Sequence, residues 1–323
     1  MSDETKLLRL FTFLASDLIS GARKRSVTKF TAGLNEINFL VSSFTPASPK
    51  IKASATSQAI PAVAQKINLF MIDEKKFAKL IAGEAHKFFL ASMISLERAR
   101  QSQQHNLSWQ IVEHYYSAYY AVHYLMRVCG YSLTNIDDAS LKTIVKSSTV
   151  PMTNPSGGLS TITFSDDCTQ VVITKNEKGG GSHKDAWAIW AQILDKIMIE
   201  AKKDDHEYSS LELNLVMHRK FITTNDQKYN PSDIRGEVNY QFKGDSWCFE
   251  NDINHRVNSL HKEILNDTYS LVDSDDRVIN LINNNQFIIN LARSYFKAST
   301  EQYSYGICRS IHNQYKNKIS TLC

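Results

Sequence analysis

Two long segments of helical periodicity, separated by a link of only three residues, constrain the fold of this chain more than any other feature. Residues 73–104 carry apolar side chains on one broad stripe and charged side chains opposite, the pattern of an amphipathic helix. A second helix is predicted from Ser108, a good N-cap, to Cys129, with Gly130 where a left-handed C-cap is tolerated. Because the link at residues 105–107 is so short, the two helices are expected to run antiparallel and bury their stripes together.

Residues 150–182 interrupt this pattern and predict a β-hairpin. Two β-favouring runs, residues 160–164 and 169–174, are bounded by proline, glycine and a Ser-Asp-Asp turn. Helical spacing resumes at Ser182, which forms a capping-box-like pair with Asp185. Further helices are predicted at about 207–222, 254–267, 275–298 and 300–319. The predicted fold class is therefore mainly α, with a small inserted β-hairpin.

The N-terminal part of the chain differs in composition. Residues 5–42 have helical spacing with a break at Gly21, which predicts two amphipathic helices. Residues 43–62 are small and polar and contain three prolines, which is typical of a linker. We therefore predict an N-terminal helical region over residues 1–70 and a larger helical domain over residues 71–323.

Composition restricts the class of protein. The chain is 42% hydrophobic and 22% charged, which suits a packed globular protein. No run approaches the ~18 uncharged apolar residues of a membrane span, and the N-terminus lacks a secretory signal, so a cytoplasmic protein with no membrane contact is expected. The five cysteines are widely spaced and predict buried, reduced thiols. No metal site and no cofactor are predicted.

The net charge of +4 is too small to identify a nucleic-acid partner by itself. Basic residues are locally concentrated near the N-terminus, where Arg23, Lys24 and Arg25 are followed by Lys29. These four are candidate nucleic-acid-binding residues, because lysine and arginine neutralise phosphates. The alternative is an ordinary solvated helix end, which is the favoured interpretation.

A glycine-rich stretch, Lys-Gly-Gly-Gly-Ser-His at residues 178–183, precedes a predicted helix. Backbone N–H groups at a helix N-terminus can hold an anion. The stretch lacks the Gly-Lys-Ser/Thr ending of a P-loop, so a flexible turn between hairpin and helix is the favoured interpretation.

Two segments carry a resemblance to a known family. The run Tyr-Tyr-Ser-Ala-Tyr-Tyr-Ala at residues 115–121 resembles the second helix of HEPN (higher eukaryotes and prokaryotes nucleotide-binding) domains. Residues 230–240, Asn-Pro-Ser-Asp-Ile-Arg-Gly-Glu-Val-Asn-Tyr, are similar to a late segment of some HEPN families, with Arg235, Asn239 and Tyr240 as the family-motif residues. The resemblance covers about residues 73–250 and implies a HEPN-like antiparallel helical bundle.

The resemblance also implies RNA chemistry in bacterial toxin–antitoxin or anti-phage defence. Active HEPN proteins carry an arginine and a histidine separated by four to six intervening residues, usually at a dimer interface. The arginine stabilises phosphate and the histidine moves a proton, without metal. Here the expected positions after Arg235 are residues 240–242, Tyr-Gln-Phe, none of which replaces an imidazole.

The required spacing does occur elsewhere, at Arg256 and His261 and also at Arg100 and His105. On a helix, five positions separate side chains by roughly 140°, so the first pair would need a partner subunit to complete a catalytic site. Arg256 and His261 are the candidate catalytic residues on this hypothesis, and an ordinary surface pair is the alternative.

Two functional hypotheses follow. The favoured one is a non-catalytic HEPN-like component of a bacterial defence system that binds nucleic acid, RNA rather than DNA, or nucleotide. It would act as a homodimer or as a subunit of a multi-protein assembly, with Arg235, Asn239 and Tyr240 bracing the bundle or its interface. The alternative is a metal-independent ribonuclease that acts as a dimer through Arg256 and His261.

Overall fold

A computed structural model describes residues 11, 14–23, 41–44, 66–70, 74–101, 107–146, 156–165, 167–176, 181–201, 209–223, 229–247 and 254–322. The helices are α1 (Leu14–Ser20), α2 (Glu74–Gln101), α3 (Leu107–Val128), α4 (Asp138–Lys146), α5 (Gly181–Ala201), α6 (Ser209–Ile222), α7 (Asn230–Tyr240), α8 (Asn254–Leu265), α9 (Arg277–Gln302) and α10 (Ile307–Tyr315), followed by a 3₁₀ turn at Ser320–Leu322. The strands are β1 (Val41–Phe44), β2 (Lys66–Phe70), β3 (Tyr131–Ile136), β4 (Gly158–Phe164) and β5 (Gln170–Lys175). The prediction of a mainly helical fold with a small antiparallel β component is confirmed.

The predicted pair of long helices is present as α2 and α3. Small residues let the two backbones approach, and Ser117 Oγ donates a hydrogen bond to the carbonyl of Ser92 at 2.8 Å. Gly130 follows α3 with a φ of +83°, the left-handed conformation expected for a helix terminus. The third long helix, α9, packs on both, with the rings of Phe89 and Phe296 stacked at 4.0 Å. Helices α2, α3 and α9 therefore form the centre of the hydrophobic core.

The β component is larger than the predicted hairpin. Strands β4 and β5 form that hairpin, and they are the centre of an antiparallel sheet with the order β1-β2-β5-β4-β3. Strand β2 pairs with β5 through Ile67 opposite Ile173, and β3 pairs with β4 through Ser132 opposite Ile162. The flanking strands contain only four to six residues each. Runs of that length give too little periodicity to be recognised before their partners are known.

The first 70 residues are joined to the rest of the molecule wherever they are described. Helix α1 confirms one of the two helices predicted between residues 5 and 42; residues 24–40 lie outside the described residues, and residues 41–42 belong to strand β1. Ser16 Oγ donates to the carbonyl of Val128 at 2.8 Å. The predicted linker lies mostly outside the described residues, so the domain boundary stays a prediction.

Four further helices were predicted in the C-terminal half, and each is present with changed ends, as α6, α8, α9 and α10. Helix α9 begins after Asp276, whose carboxylate accepts from the backbone N–H groups of Val278 and Ile279. Helix α7 was not predicted as a helix, although Pro231 in its first turn is a typical start signal. None of the described helices has the length and apolar character needed to cross a bilayer.

Candidate functional site

The side chain of Arg235 is the most unusual charged group in the described structure. It is 7% exposed, and its guanidinium carbon lies 5.4 Å from the ring centre of Tyr115, 5.6 Å from that of Tyr116 and 5.7 Å from that of Tyr240. Its Nε atom has no hydrogen-bond partner, and no carboxylate among the described residues forms an ion pair with it. Buried charges are normally paired because desolvation is costly, and the described residues supply no counterion for this cation.

His183 supplies an imidazole beside this cation. Its Nδ1 atom lies 2.9 Å from the hydroxyl of Tyr115, which also accepts a hydrogen bond from Trp187 Nε1 at 3.2 Å. All three groups are satisfied when the Tyr115 hydroxyl donates to Nδ1, which leaves the proton of the neutral ring on Nε2. Burial and then the charge of Arg235 lower the pKa of His183 to about 4. At neutral pH the positive charge therefore resides on Arg235 alone.

Tyrosines close around these two groups. We refer to Tyr115, Tyr116, Tyr119, His183 and Tyr240 as the ring cluster. The ring of Tyr119 lies 4.3 Å from that of His183 and 4.6 Å from that of His123. Burial raises the pKa of both Tyr115 and Tyr119. Their hydroxyls therefore remain neutral around Arg235, and they supply rings and hydrogen bonds without a balancing negative charge.

The N-terminus of α5 lies at the ring cluster because of its first residues. Gly181 has a φ of +76°, which favours glycine, and the helix begins there. The predicted capping pair is therefore wrong: Ser182 lies inside the first turn, and Asp185 accepts from Asn176 Nδ2 at 3.0 Å. The first N–H groups of a helix carry a partial positive charge. Together with Arg235 they make this end of α5 favourable for an anion.

The carboxylates nearest in sequence to Arg235 form ion pairs with other cations. Asp233 pairs with Lys184 Nζ at 3.0 Å, which ties the first turn of α7 to the first turn of α5. Glu237 pairs with Arg277 at 2.9 Å. These pairings explain how α7 can present Arg235 to the ring cluster without neutralising it. The arrangement as a whole can bind an anion that also offers a flat ring, because guanidinium groups hold phosphate and aromatic rings stack on bases.

The sequence-predicted motif residues are partly brought together here. Arg235 and Tyr240 meet in the ring cluster, and Asn239 is half-buried on the same helix. His183 was not predicted as a functional side chain. The available signal was the glycine-rich stretch before its helix, for which a flexible turn was the favoured interpretation. The resemblance gave no sign that this stretch would meet Arg235.

The candidate catalytic pair has other contacts. Arg256 forms an ion pair with Asp276, the N-cap of α9, at 2.7 Å, and donates to the carbonyl of Gly244. His261 Nδ1 lies 3.1 Å from Gln110 Oε1. Each side chain thus links α8 to a different part of the molecule. Their catalytic role stays a prediction, and the structure gives both residues a stabilising contact.

The other sequence candidates are only partly described. Arg23 is exposed just after α1, whereas Lys24, Arg25 and Lys29 lie outside the described residues. Arg100 pairs with Asp267 at 2.8 Å, and its motif partner His105 also lies outside the described residues. Three cysteines are free and buried, as expected: Cys129, Cys168 and Cys308.

Comparison with protein-family models, with curated proteins and with solved structures returns no match for this chain. In the part of the chain that the structure describes, no three histidine, cysteine or acidic side chains group together as metal ligands. The candidate site is the ring cluster with Arg235 and the N-terminus of α5.

Proposed function

We propose that this protein is a HEPN-like, nucleic-acid-binding subunit of a bacterial defence system, and that it holds a phosphate of its ligand at Arg235. The observation that carries the proposal is a buried guanidinium with no carboxylate partner among the described residues. A bound phosphate would supply the missing counterion and accept the paired N–H donors of the guanidinium. RNA is the expected ligand, and a homodimer or a larger assembly is the expected state.

The position of the motif residues supports the HEPN-like part of the proposal. The two segments that carry the resemblance, residues 115–121 and 230–240, are far apart in sequence and supply four of the five rings of the cluster and Arg235 itself. If the two segments belong to one family motif because they share a function, they are expected to meet at one site in the fold. The defence context comes from this resemblance.

The tautomer of His183 favours binding over cleavage. The arrangement that satisfies Tyr115, Trp187 and His183 together has the Tyr115 hydroxyl donating to Nδ1, and in that tautomer Nε2 carries the proton and acts as a donor. A donor beside Arg235 can contact a phosphate oxygen. It cannot remove a proton from a 2′-hydroxyl without a change of tautomer. The non-catalytic hypothesis is therefore the one we propose first.

Binding to single-stranded RNA in the presence of a chelator tests the proposal. Arg235→Lys keeps the charge but loses the planar fork, so we expect the affinity to fall by about 10-fold or more. Arg219→Lys is the matched control, because Arg219 already pairs with Asp195 at 3.0 Å. Fluorescence anisotropy of a labelled oligonucleotide measures the affinity of each variant. Wild-type affinity in Arg235→Lys, or no binding by the wild type, would contradict the proposal.

A second candidate function is metal-independent RNA cleavage, favoured by the imidazole of His183 beside Arg235. In this reaction the 2′-hydroxyl loses its proton and attacks the adjacent phosphorus, the bond to the 5′-oxygen breaks, and that oxygen takes up a proton. The products are a 2′,3′-cyclic phosphate and a 5′-hydroxyl. If cleavage occurs here, we expect His183→Ala to abolish it and His261→Ala to retain it. Loss in His261→Ala alone would instead place the reaction at Arg256 and His261. Intact RNA after incubation with excess wild-type protein would exclude both.

A further inference from the structure

A second group of rings lies next to the ring cluster and faces solvent. Trp109 is 50% exposed and Phe242 is 52% exposed. Both rings contact that of Trp247, at 6.1 Å and 5.2 Å between ring centres. We refer to Trp109, Phe242 and Trp247 as the outer aromatic surface. A contiguous set of exposed rings on a folded protein marks a contact surface.

The outer aromatic surface and the ring cluster are carried by the same two elements of the fold. On α3, Trp109 and Tyr116 are seven positions apart, so they share one face of the helix and are separated by about 10 Å along its axis. Beyond the end of α7, Phe242 follows Tyr240, which is 70% exposed and in contact with Arg235. A strand whose phosphate is bound at Arg235 would therefore reach rings on both elements as it extends away from the arginine.

The backbone holds Phe242 in an unusual conformation. Its φ is +50°, in the left-handed region that bulky residues rarely adopt. The segment is fixed by a hydrogen bond from Trp247 Nε1 to the carbonyl of Val238 at 2.8 Å, and by one from the backbone N–H of Lys243 to the carbonyl of Glu237 at 3.2 Å. An exposed ring kept at such a position is typical of a functional segment.

We propose that the outer aromatic surface binds the bases of a single-stranded nucleic acid whose phosphate lies at Arg235. This inference rests on the proposed function. The nearby uncompensated cation favours a polyanion, and exposed rings stack on bases that are not paired. The distance of about 10 Å along α3 equals about three steps of a stacked strand, so the ligand is an oligonucleotide and not a mononucleotide. A duplex fits poorly because its bases are already stacked and paired.

Ring-removing variants test the inference. We expect Trp109→Ala to weaken binding of a twelve-nucleotide single strand by about 10-fold and to leave binding of a nucleoside monophosphate unchanged, because one stacked base is lost. Phe242→Asn is also expected to weaken binding of the single strand. Asparagine tolerates the left-handed backbone conformation at this position, so the variant is expected to fold. Tyr305→Ala is the control, since Tyr305 is 84% exposed in the connection between α9 and α10. Anisotropy titrations use RNA and DNA strands and an RNA duplex.

The outcomes separate the inference from the proposed function. Wild-type affinity in both ring variants, together with a loss in Arg235→Lys, overturns the inference and leaves the phosphate site standing. Equal affinity for duplex and single strand also overturns it. Wild-type affinity in Arg235→Lys overturns the proposed function itself. Selective loss of oligonucleotide binding in the ring variants, with either sugar, supports the inference.

Discussion

Replacing Arg235 with methionine is expected to abolish nucleic-acid binding and to leave the free energy of unfolding unchanged or about 1–3 kcal/mol higher. A buried charge without a counterion loses its hydration on folding and regains little, whereas a flexible apolar side chain fills the same space without that cost. The contacts of Arg235 with three tyrosine rings offset part of the penalty, since such contacts contribute about 0.5–2 kcal/mol. A residue kept at a cost to stability is expected where it serves binding.

Arg127 is the matched control for this measurement. It is 1% exposed, and its guanidinium lies 4.2 Å from the ring centre of Phe88, so it also combines burial with a ring contact. Unlike Arg235 it is fully partnered, with Glu84 at 2.7 Å and His123 Nδ1 at 2.9 Å. Removing one member of such a buried pair costs about 3–5 kcal/mol, so Arg127→Met should be strongly destabilised. Urea denaturation measures the unfolding free energy of both variants, and we expect a large loss only in Arg127→Met. A comparable loss in Arg235→Met would mean that Arg235 is a structural residue.

Acidification is expected to destabilise the protein strongly through buried neutral histidines. His86, His114 and His218 are each almost fully buried, and burial lowers the pKa of each to about 4. Each has a hydrogen-bond partner at a ring nitrogen: His86 Nδ1 lies 2.7 Å from the carbonyl oxygen of Ala82, His114 Nε2 lies 3.2 Å from Gln286 Oε1, and His218 Nδ1 lies 3.0 Å from Asn284 Oδ1. Charging these rings inside the core is unfavourable, so they take up protons on unfolding.

The free energy of unfolding falls on acidification because the pKa of each of these histidines is lower in the folded state than in the unfolded chain. Below the ordinary histidine pKa of 6.5 the unfolded chain binds protons that the folded chain excludes, so stability falls as the pH falls from 6.5 towards 4. At pH 5 each of the three histidines contributes a loss of about 2 kcal/mol, and together they approach the total stability of a typical domain. Burial also places the pKa of His123 well below its ordinary value, in the same direction.

Urea denaturation at a series of pH values measures this effect. His86→Leu is expected to reduce the pH dependence near pH 5 by about one proton, because it removes one of the rings that bind a proton only on unfolding. His86 suits this test because its Nε2 has no hydrogen-bond partner and its Nδ1 bonds only the carbonyl of Ala82 in its own helix. Phe89→Leu, one turn away on α2, should lower stability equally at every pH. An unfolding free energy that stays constant between pH 7 and pH 5 would show that these histidines are not excluded from protonation.

The sequence predicts the parts of the fold that depend on local periodicity. The pair α2 and α3 follows from two long apolar stripes and a short link, and Gly130 marks its end. The outer strands of the sheet escaped prediction because β1 and β2 become strands by pairing with partners distant in sequence. Helix α7 escaped because its buried positions, such as Ile234 and Val238, are few and its sequence is mostly polar.

The candidate site was also predictable only in part, because its residues are distant in sequence and meet only in the folded chain. Arg235 and Tyr240 were identified through the resemblance. His183 lies about fifty positions before Arg235, and only the packing of α5, α3 and α7 brings the two together. The ion pair of Arg256 with Asp276 is equally invisible in the sequence. The motif search therefore singled out Arg235, but the spacing rule for its histidine partner could not identify His183, which precedes it in the chain.

The ring of His183 reports directly on an anion at Arg235. In protein labelled with ¹⁵N-histidine, a pH titration of its ring signals with and without inorganic phosphate measures the pKa of His183, and His183→Gln assigns the signals. We expect phosphate to raise that pKa from about 4, because an anion offsets the charge of Arg235 and favours the protonated ring. In Arg235→Met the phosphate effect should disappear. A His183 titration that phosphate leaves unchanged in the wild type would contradict an anion-binding site at Arg235.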